Sequence, residues 1–501
     1  MTDATETLRF ALRQGPLRGI LHDPIVIDES VPTTALIPPA AARGESGRPL
    51  PLGTTAALAA TTYPAGRLPA GPACWQRLGA VLLAAFGLQR REPSNPANDH
   101  RVTASVRSKF PVHVFVVPPA GPAAYLDVYR HALVDVGGVP VPPPLRPDPG
   151  EVTVVLAARH TDLPAPYGAL RCALTDLETG INLRSLLVAA ELAGLGAVVA
   201  SDGPTVTAAA DLAAATGPGS WAAPVTVVLR GAGALPEPVD LPATTVPDDR
   251  LPAASADRTL ADLVPIVRHR VARAAATGPA VSAGAGAPGI PDLPAGTGPS
   301  WEQVLWRRSA GRVRAPLTGF SARPARADRA FLDDLLGWAA VPAPTDRLRA
   351  VGERVGLGVV LHHVADLPTG WYTIDGTTAR PGTLDDRLPA RIEQSFGYPL
   401  STANDCGVRH ALAICVLTVD LRALVTDLGD DAWGLLQVWC GWVAHGFSMA
   451  AAAHGLFARP ARSFDEHHLG ALLDLPAGQA PVLMTVCGRS AYAEPLLDLR
   501  A

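Results

Sequence analysis

The sequence predicts an α+β protein built from two tandem copies of one domain, each an antiparallel or mixed sheet flanked by long helices. Three observations carry that expectation. Gly180 opens G-I-N-L-R-S-L-L-V-A-A-E-L-A-G-L and Gly441 opens G-W-V-A-H-G-F-S-M-A-A-A-A-H-G-L, with Ala-Ala and Gly-Leu at the same offsets. An apolar strand lies the same distance ahead of each, Val152–Ala158 and Ala413–Val419. A Pro-initiated strand ending in Gly follows each, Pro224–Gly231 and Pro481–Gly488. A repeat of roughly 260 residues far exceeds the unit of about 20 to 50 that stacks into a solenoid, so it denotes a duplicated domain.

The elements follow in order. Residues 1–70 have short apolar runs cut by Pro and Gly and read as an irregular arm or a small appended module. The first copy occupies 71–250. It opens with a helix pattern over Trp75–Leu88, then a charged loop Arg90–Arg101 and the strand Pro111–Val117. The Pro-rich 141–150 is a stiffened loop ahead of the strand at Val152. Residues 251–300 hold an Arg- and Ala-rich helix over about 256–276 and a Gly/Pro/Ala linker, Ala280–Pro299. The second copy runs over 301–501. Alternating helices and strands in both copies give the α+β class. The small residues of Gly441–Gly455 predict a helix that approaches a neighbour closely; a compositional bias toward Ala is the other reading.

Composition narrows the function classes. The chain has 501 residues, a net charge of −4 and 48% apolar residues. It is long enough for more than one core, and it carries no global charge for nucleic acid or a membrane surface. No apolar run reaches the roughly 18 residues of a transmembrane helix. The start, M-T-D-A-T-E-T-L-R-F, lacks the pattern of a secretory signal, which places the protein in the cytoplasm as an expectation. The 6 Cys are scattered without a CxxC pair, as in a reduced protein with no structural metal site. Lys109 is the sole lysine in an Arg-rich chain, a skew typical of GC-rich genomes.

The densest chemical string is Trp306-Arg307-Arg308-Ser309-Ala310-Gly311-Arg312. Its three guanidinium groups and hydroxyl suit a phosphate; a solvated basic helix start is the alternative.

This string, the late helix with A-A-x-x-x-G-L and the terminal Gly488-Arg489 together resemble the FMN-binding nitroreductase superfamily. The resemblance covers about 75–240 and 301–495. It implies that Arg307, Arg308, Ser309, Arg312 and Arg489 hold the flavin phosphate and ribityl chain. It also implies that Phe457–Arg462, including Arg462, and Ala200–Gly203 form turns lining the isoalloxazine. The first copy has Gly231-Ala232 at the closing position and no R-R-S string before Trp75, so its phosphate end is lost. Thr103–Pro111 resembles the P-S-x-G-x-x-Y-P segment of one branch, the FMN-dependent dehydrogenases that oxidise thiazolines and oxazolines in ribosomal peptides. Tyr167-Gly168 with Leu177–Gly180 resembles that branch's Y-G…L-x-E-x-G pattern, and Asp366–Tyr372 its L-P-x-G-x-Y loop. Where the branch often has a catalytic Lys-Tyr pair, this chain reads Pro166-Tyr167 in one copy and Leu428-Gly429 in the other.

The resemblance implies an intrachain pseudo-dimer with one FMN, which can associate further as a homodimer. Tyr167 is the candidate base and Lys109 a candidate cation. The implied substrate is an azoline-containing precursor peptide, with a cyclodehydratase as partner. Two further readings stay open: an NAD(P)H-dependent oxidoreductase for a small molecule, and a non-catalytic peptide-binding scaffold.

Overall fold

The computed structural model describes residues 37–69, 74–92, 95–217, 219–243, 267–272, 288–293, 298–311, 322–396, 407–491 and 495–500. The chain repeats one topology twice. In the first half the strands Val112–Val117, Glu151–Ala158, Val225–Arg230 and Gly196–Ala200 lie side by side in that order, all antiparallel. In the second half Val355–Leu361, Ala413–Asp420, Gln479–Ser490 and Phe457–Ala461 repeat the arrangement with the same connectivity.

Each half then extends its sheet differently. The first adds Ala124–Asp127, Ala132–Asp135, Ser46–Pro49 and Val239–Asp240 on one side. The second adds the hairpin Gly370–Asp375/Thr378–Leu384 and the short strand Ala322–Arg323. Ser46–Pro49 thus brings part of the segment read as an arm into the first sheet.

One long helix from each half forms the centre: Leu170–Leu192 and Ala432–Ala453. Both are buried almost all round, because each packs on its own sheet and on the other helix. Their repeated Gly-Leu pairs are stop signals. Gly194 (φ 65°) and Gly455 (φ 68°) take the left-handed conformation that ends a helix without a Cβ penalty. Leu195 N–H then donates to Ala190 O and Leu456 N–H to Ala451 O, satisfying terminal carbonyls and turning each buried leucine back onto the core.

The region expected as a charged loop, Arg90–Arg101, is instead a two-stranded hairpin, Leu88–Glu92 with Asn95–Arg101. Its charges pair internally, which hides the strands from a hydrophobicity pattern. Arg91 Nη2 donates to the facing Asp99 at 2.8 Å, and His100 lies 2.8 Å from Glu92. The other edge of this hairpin receives Leu497–Asp498 from the end of the second half. Phe457–Arg462, expected as a turn, contains the strand Phe457–Ala461, held in register against Met484–Gly488.

Of the helix expected over about 256–276, residues 267–272 are described and are helical. Arg270 from this segment is half-buried and ion-pairs with Asp176 of the first central helix at 2.8 Å. Its guanidinium also occupies the space beside Gly434, where a Cβ would lie 2.1 Å from Nη2. The connection therefore pins both central helices. Most of the linker Ala280–Pro299 lies outside the described residues.

Candidate active site between the two halves

The short helix Trp301–Arg307 starts with a reciprocal cap between Ser300 and Gln303 and ends in the basic string. The string therefore leaves a helix rather than opening one. Arg307 is exposed, Arg308 is 2% exposed and Ser309 is half-buried. Beyond them, Ser309 O accepts from Ala458 N at 3.0 Å, which ties the string to the start of strand Phe457–Ala461. Gly311 (φ 69°) lies flat against Phe457, where a Cβ would meet the ring at 2.7 Å. Phe457 faces Gly488 across the strand pair, and the exposed Arg489 follows at once. The structure thus gathers the beginning and end of the second copy at one end of its sheet. Arg312 lies outside the described residues.

Arg308 crosses to the other half. Its Nη2 donates to Arg101 O at 2.8 Å, while Arg90 of the first half donates to the carbonyls of Trp306 and Arg308. Burial, reinforced by the neighbouring Arg90, pushes the Arg308 guanidinium down to about 9. Arg500 encloses the same joint. It lies 4.1 Å over the Trp306 ring and ion-pairs with Glu302. Arg462 is also buried: its Nη1 donates to Gln437 at 2.7 Å and it lies 5.2 Å over the Trp433 ring.

Continuing from Arg101, the chain enters the segment that resembles P-S-x-G-x-x-Y-P. Here the backbone is strained, with positive φ at Arg107 (48°), Ser108 (53°) and Phe110 (48°). Glu178 on the first central helix fixes the segment by accepting from Ser105 Oγ (3.1 Å) and from Val106 N–H (2.8 Å). Ser105 Oγ in turn accepts from Phe110 N–H at 2.7 Å. Burial raises the Glu178 carboxyl to about 8 against the effect of these donors. The loop so held presents Arg107, whose Nε donates to Tyr167 Oη at 3.0 Å. Lys109 is half-buried two residues further on, its backbone N–H donating to Val106 O. Arg107 thus places a cation at Tyr167, and nothing in the sequence marks its left-handed backbone.

In the second half, the loop resembling L-P-x-G-x-Y closes on itself, with Tyr372 Oη donating to Pro368 O at 2.8 Å. A counterpart of the R-R-S helix exists in the first half as Thr54–Ala59, which packs on Trp301–Arg307. It leads into Ala60-Thr61-Thr62, with no cation.

Comparison with solved structures agrees with this architecture. A putative nitroreductase from Anabaena variabilis superposes with a TM-score of 0.62 at 15% identity, over 97% of this chain and 99% of that one. A putative nitroreductase from Ralstonia eutropha matches at 19% identity over 40% of this chain and 89% of its own, with a TM-score of 0.29. The E. coli microcin synthetase McbBCD complex with truncated pro-MccB17 matches at 12% identity over 36% of this chain and 71% of that one, also with a TM-score of 0.29. These last two superpositions are too loose to carry an argument. No protein-family model and no curated protein matches the chain. The molecule has the nitroreductase fold, built twice within one chain.

Proposed function

We propose that this chain is an FMN-dependent oxidoreductase with one flavin site, formed by the second half and completed by the first. The observation that carries this reading is the bond from Arg308 to Arg101 O, which places the second half's basic string directly against the loop-bearing segment of the first. A flavin phosphate is a dianion, and the residues fit it. Arg307 and Arg489 are exposed cations on segments that meet around Phe457, and Ser309 adds a hydroxyl on the first of them. Arg312 completes the set in the reading from resemblance. Arg308 and Arg462 contribute from behind by holding the halves and the second central helix in place.

The finer reading is oxidation of thiazoline or oxazoline rings to thiazoles or oxazoles in a ribosomally made peptide. FMN, when bound, supplies a hydride acceptor. The chain's own part is to orient the ring and take its proton. Tyr167 Oη is the proposed acceptor of that proton, with Arg107 placing positive charge on the same oxygen. Glu178 and Ser105 keep Arg107 in its strained position. A peptide substrate and a cyclodehydratase partner belong to this reading.

The test is to incubate flavin-loaded protein with azoline-containing peptides, in air and without nicotinamide, and follow mass. Loss of two hydrogens per ring supports the dehydrogenase. Rapid bleaching of the flavin by NADPH, with no mass change in any peptide, would replace it with a reductase. Failure to take up FMN at all would leave the scaffold reading.

A further inference from the structure

We propose that the first half contains a second binding site, for a compact planar oxyanion such as a small carboxylate, held by the side-on edge of Arg101. Arg101, at the end of the hairpin strand Asn95–Arg101, is 5% exposed and lines a narrow cavity between the first half's main sheet and the helices Cys74–Phe86 and Leu170–Leu192. Thr103 and Asn182 bring the remaining polar atoms, and Phe86, Phe110 and Leu126 contribute to apolar walls.

The unsatisfied atoms define the ligand. Arg101 Nε and Nη2 have no hydrogen-bond partner. These two N–H groups point the same way from a guanidinium and form the fork that a carboxylate or nitrate engages with two parallel bonds. Phe110 lies over the group, its ring centre 4.5 Å from the guanidinium carbon, and Tyr129, 5.8 Å away, hydrogen-bonds to it by an atom other than this pair. An in-plane ligand matches the free edge.

Charge points the same way. Arg90, Arg101 and Arg308 are 4%, 5% and 2% exposed and neighbour one another. The nearby acids are committed elsewhere. Asp99 pairs with Arg91 and Glu92 with His100. Glu178 is held toward its neutral form by burial, against the opposing pull of Arg101 itself. A buried cation without a counter-charge is costly, and a bound monoanion removes that cost. This site is separate from the exposed Arg307 and Arg489, so it stands whether or not the chain binds flavin.

Formate is the probe. Sodium formate is titrated into the full-length chain at constant ionic strength, with the thermal unfolding midpoint and calorimetric heat as readouts. The expected result is a saturable upward shift that nitrate reproduces and that weakens at least tenfold in Arg101→Met. Thr103→Val alters the wall while keeping the cation, and it should weaken formate binding by a smaller factor. No saturable effect in the parent chain would mean that the cavity holds only water and would overturn the site. So would undiminished binding in Arg101→Met or, if that variant does not fold, undiminished binding in Thr103→Val.

Discussion

Gly180 and Gly441 sit at the crossing of the two central helices, each against the other helix's backbone. A Cβ on Gly180 would lie 1.9 Å from Val438 O, and one on Gly441 would lie 1.9 Å from Leu177 O. The partners stand three residues before the opposite glycine in both cases, so the contact has a pseudo-twofold form. The repeated glycines are the points where the two copies touch.

Replacing either glycine with alanine should therefore separate the helices. Backbone is the obstacle, and no side chain can swing away. We expect Gly180→Ala and Gly441→Ala each to destabilise the chain by about 1–3 kcal/mol or more, read as a lowered denaturant midpoint. The double variant should be non-additive, because both changes act on one contact. Unchanged stability in both single variants would refute the close approach.

Glu178 gives a pH dependence whose sign is fixed. Its folded value, about 8, lies above the ordinary 4.5, so the folded chain keeps a proton that the unfolded chain releases. This contribution is fully present below about 4.5 and is lost as pH rises through about 8. Within that window the slope reaches about 1.4 kcal/mol per pH unit. Glu178→Gln keeps an acceptor for Ser105 Oγ and Val106 N–H and should flatten this fall relative to the parent. Identical pH profiles of unfolding in the two proteins would contradict the assignment.

The Arg107–Tyr167 contact predicts coupled effects on turnover. Tyr167→Phe should lower kcat by about 10²–10⁴-fold if Tyr167 is the base, while flavin binding is unchanged. Arg107→Ala should lower kcat through the same step. The double variant should be little worse than Tyr167→Phe, since groups that act as a unit are not additive. Additive losses would separate the two residues, and a fully active Tyr167→Phe would remove the tyrosine from the chemistry.

The duplication was legible because it is written in short-range signals: apolar strands, Gly-Leu stops and small residues on the central helices. What escaped the sequence depends on contacts between distant segments. Arg308 reads as one of a row of phosphate-binding arginines, and no local pattern shows that its guanidinium also bonds to Arg101, 207 positions away. The hairpin Leu88–Arg101 was hidden because its charges satisfy one another across the strands. Ser46–Pro49 is four residues of S-G-R-P, too short and too irregular to show a strand period. The contact of Arg107 with Tyr167 depends on the left-handed backbone at Arg107, which no sequence pattern marks.

The central claim is one flavin site per chain, carried by the second half's phosphate cations. Its most direct measurement is the amount of FMN retained per chain after loading and desalting, in the parent and in Arg307→Ala/Arg489→Ala. One FMN per parent chain and none in a folded double variant is the expected result. Two FMN per chain, or full retention in the double variant, would contradict it.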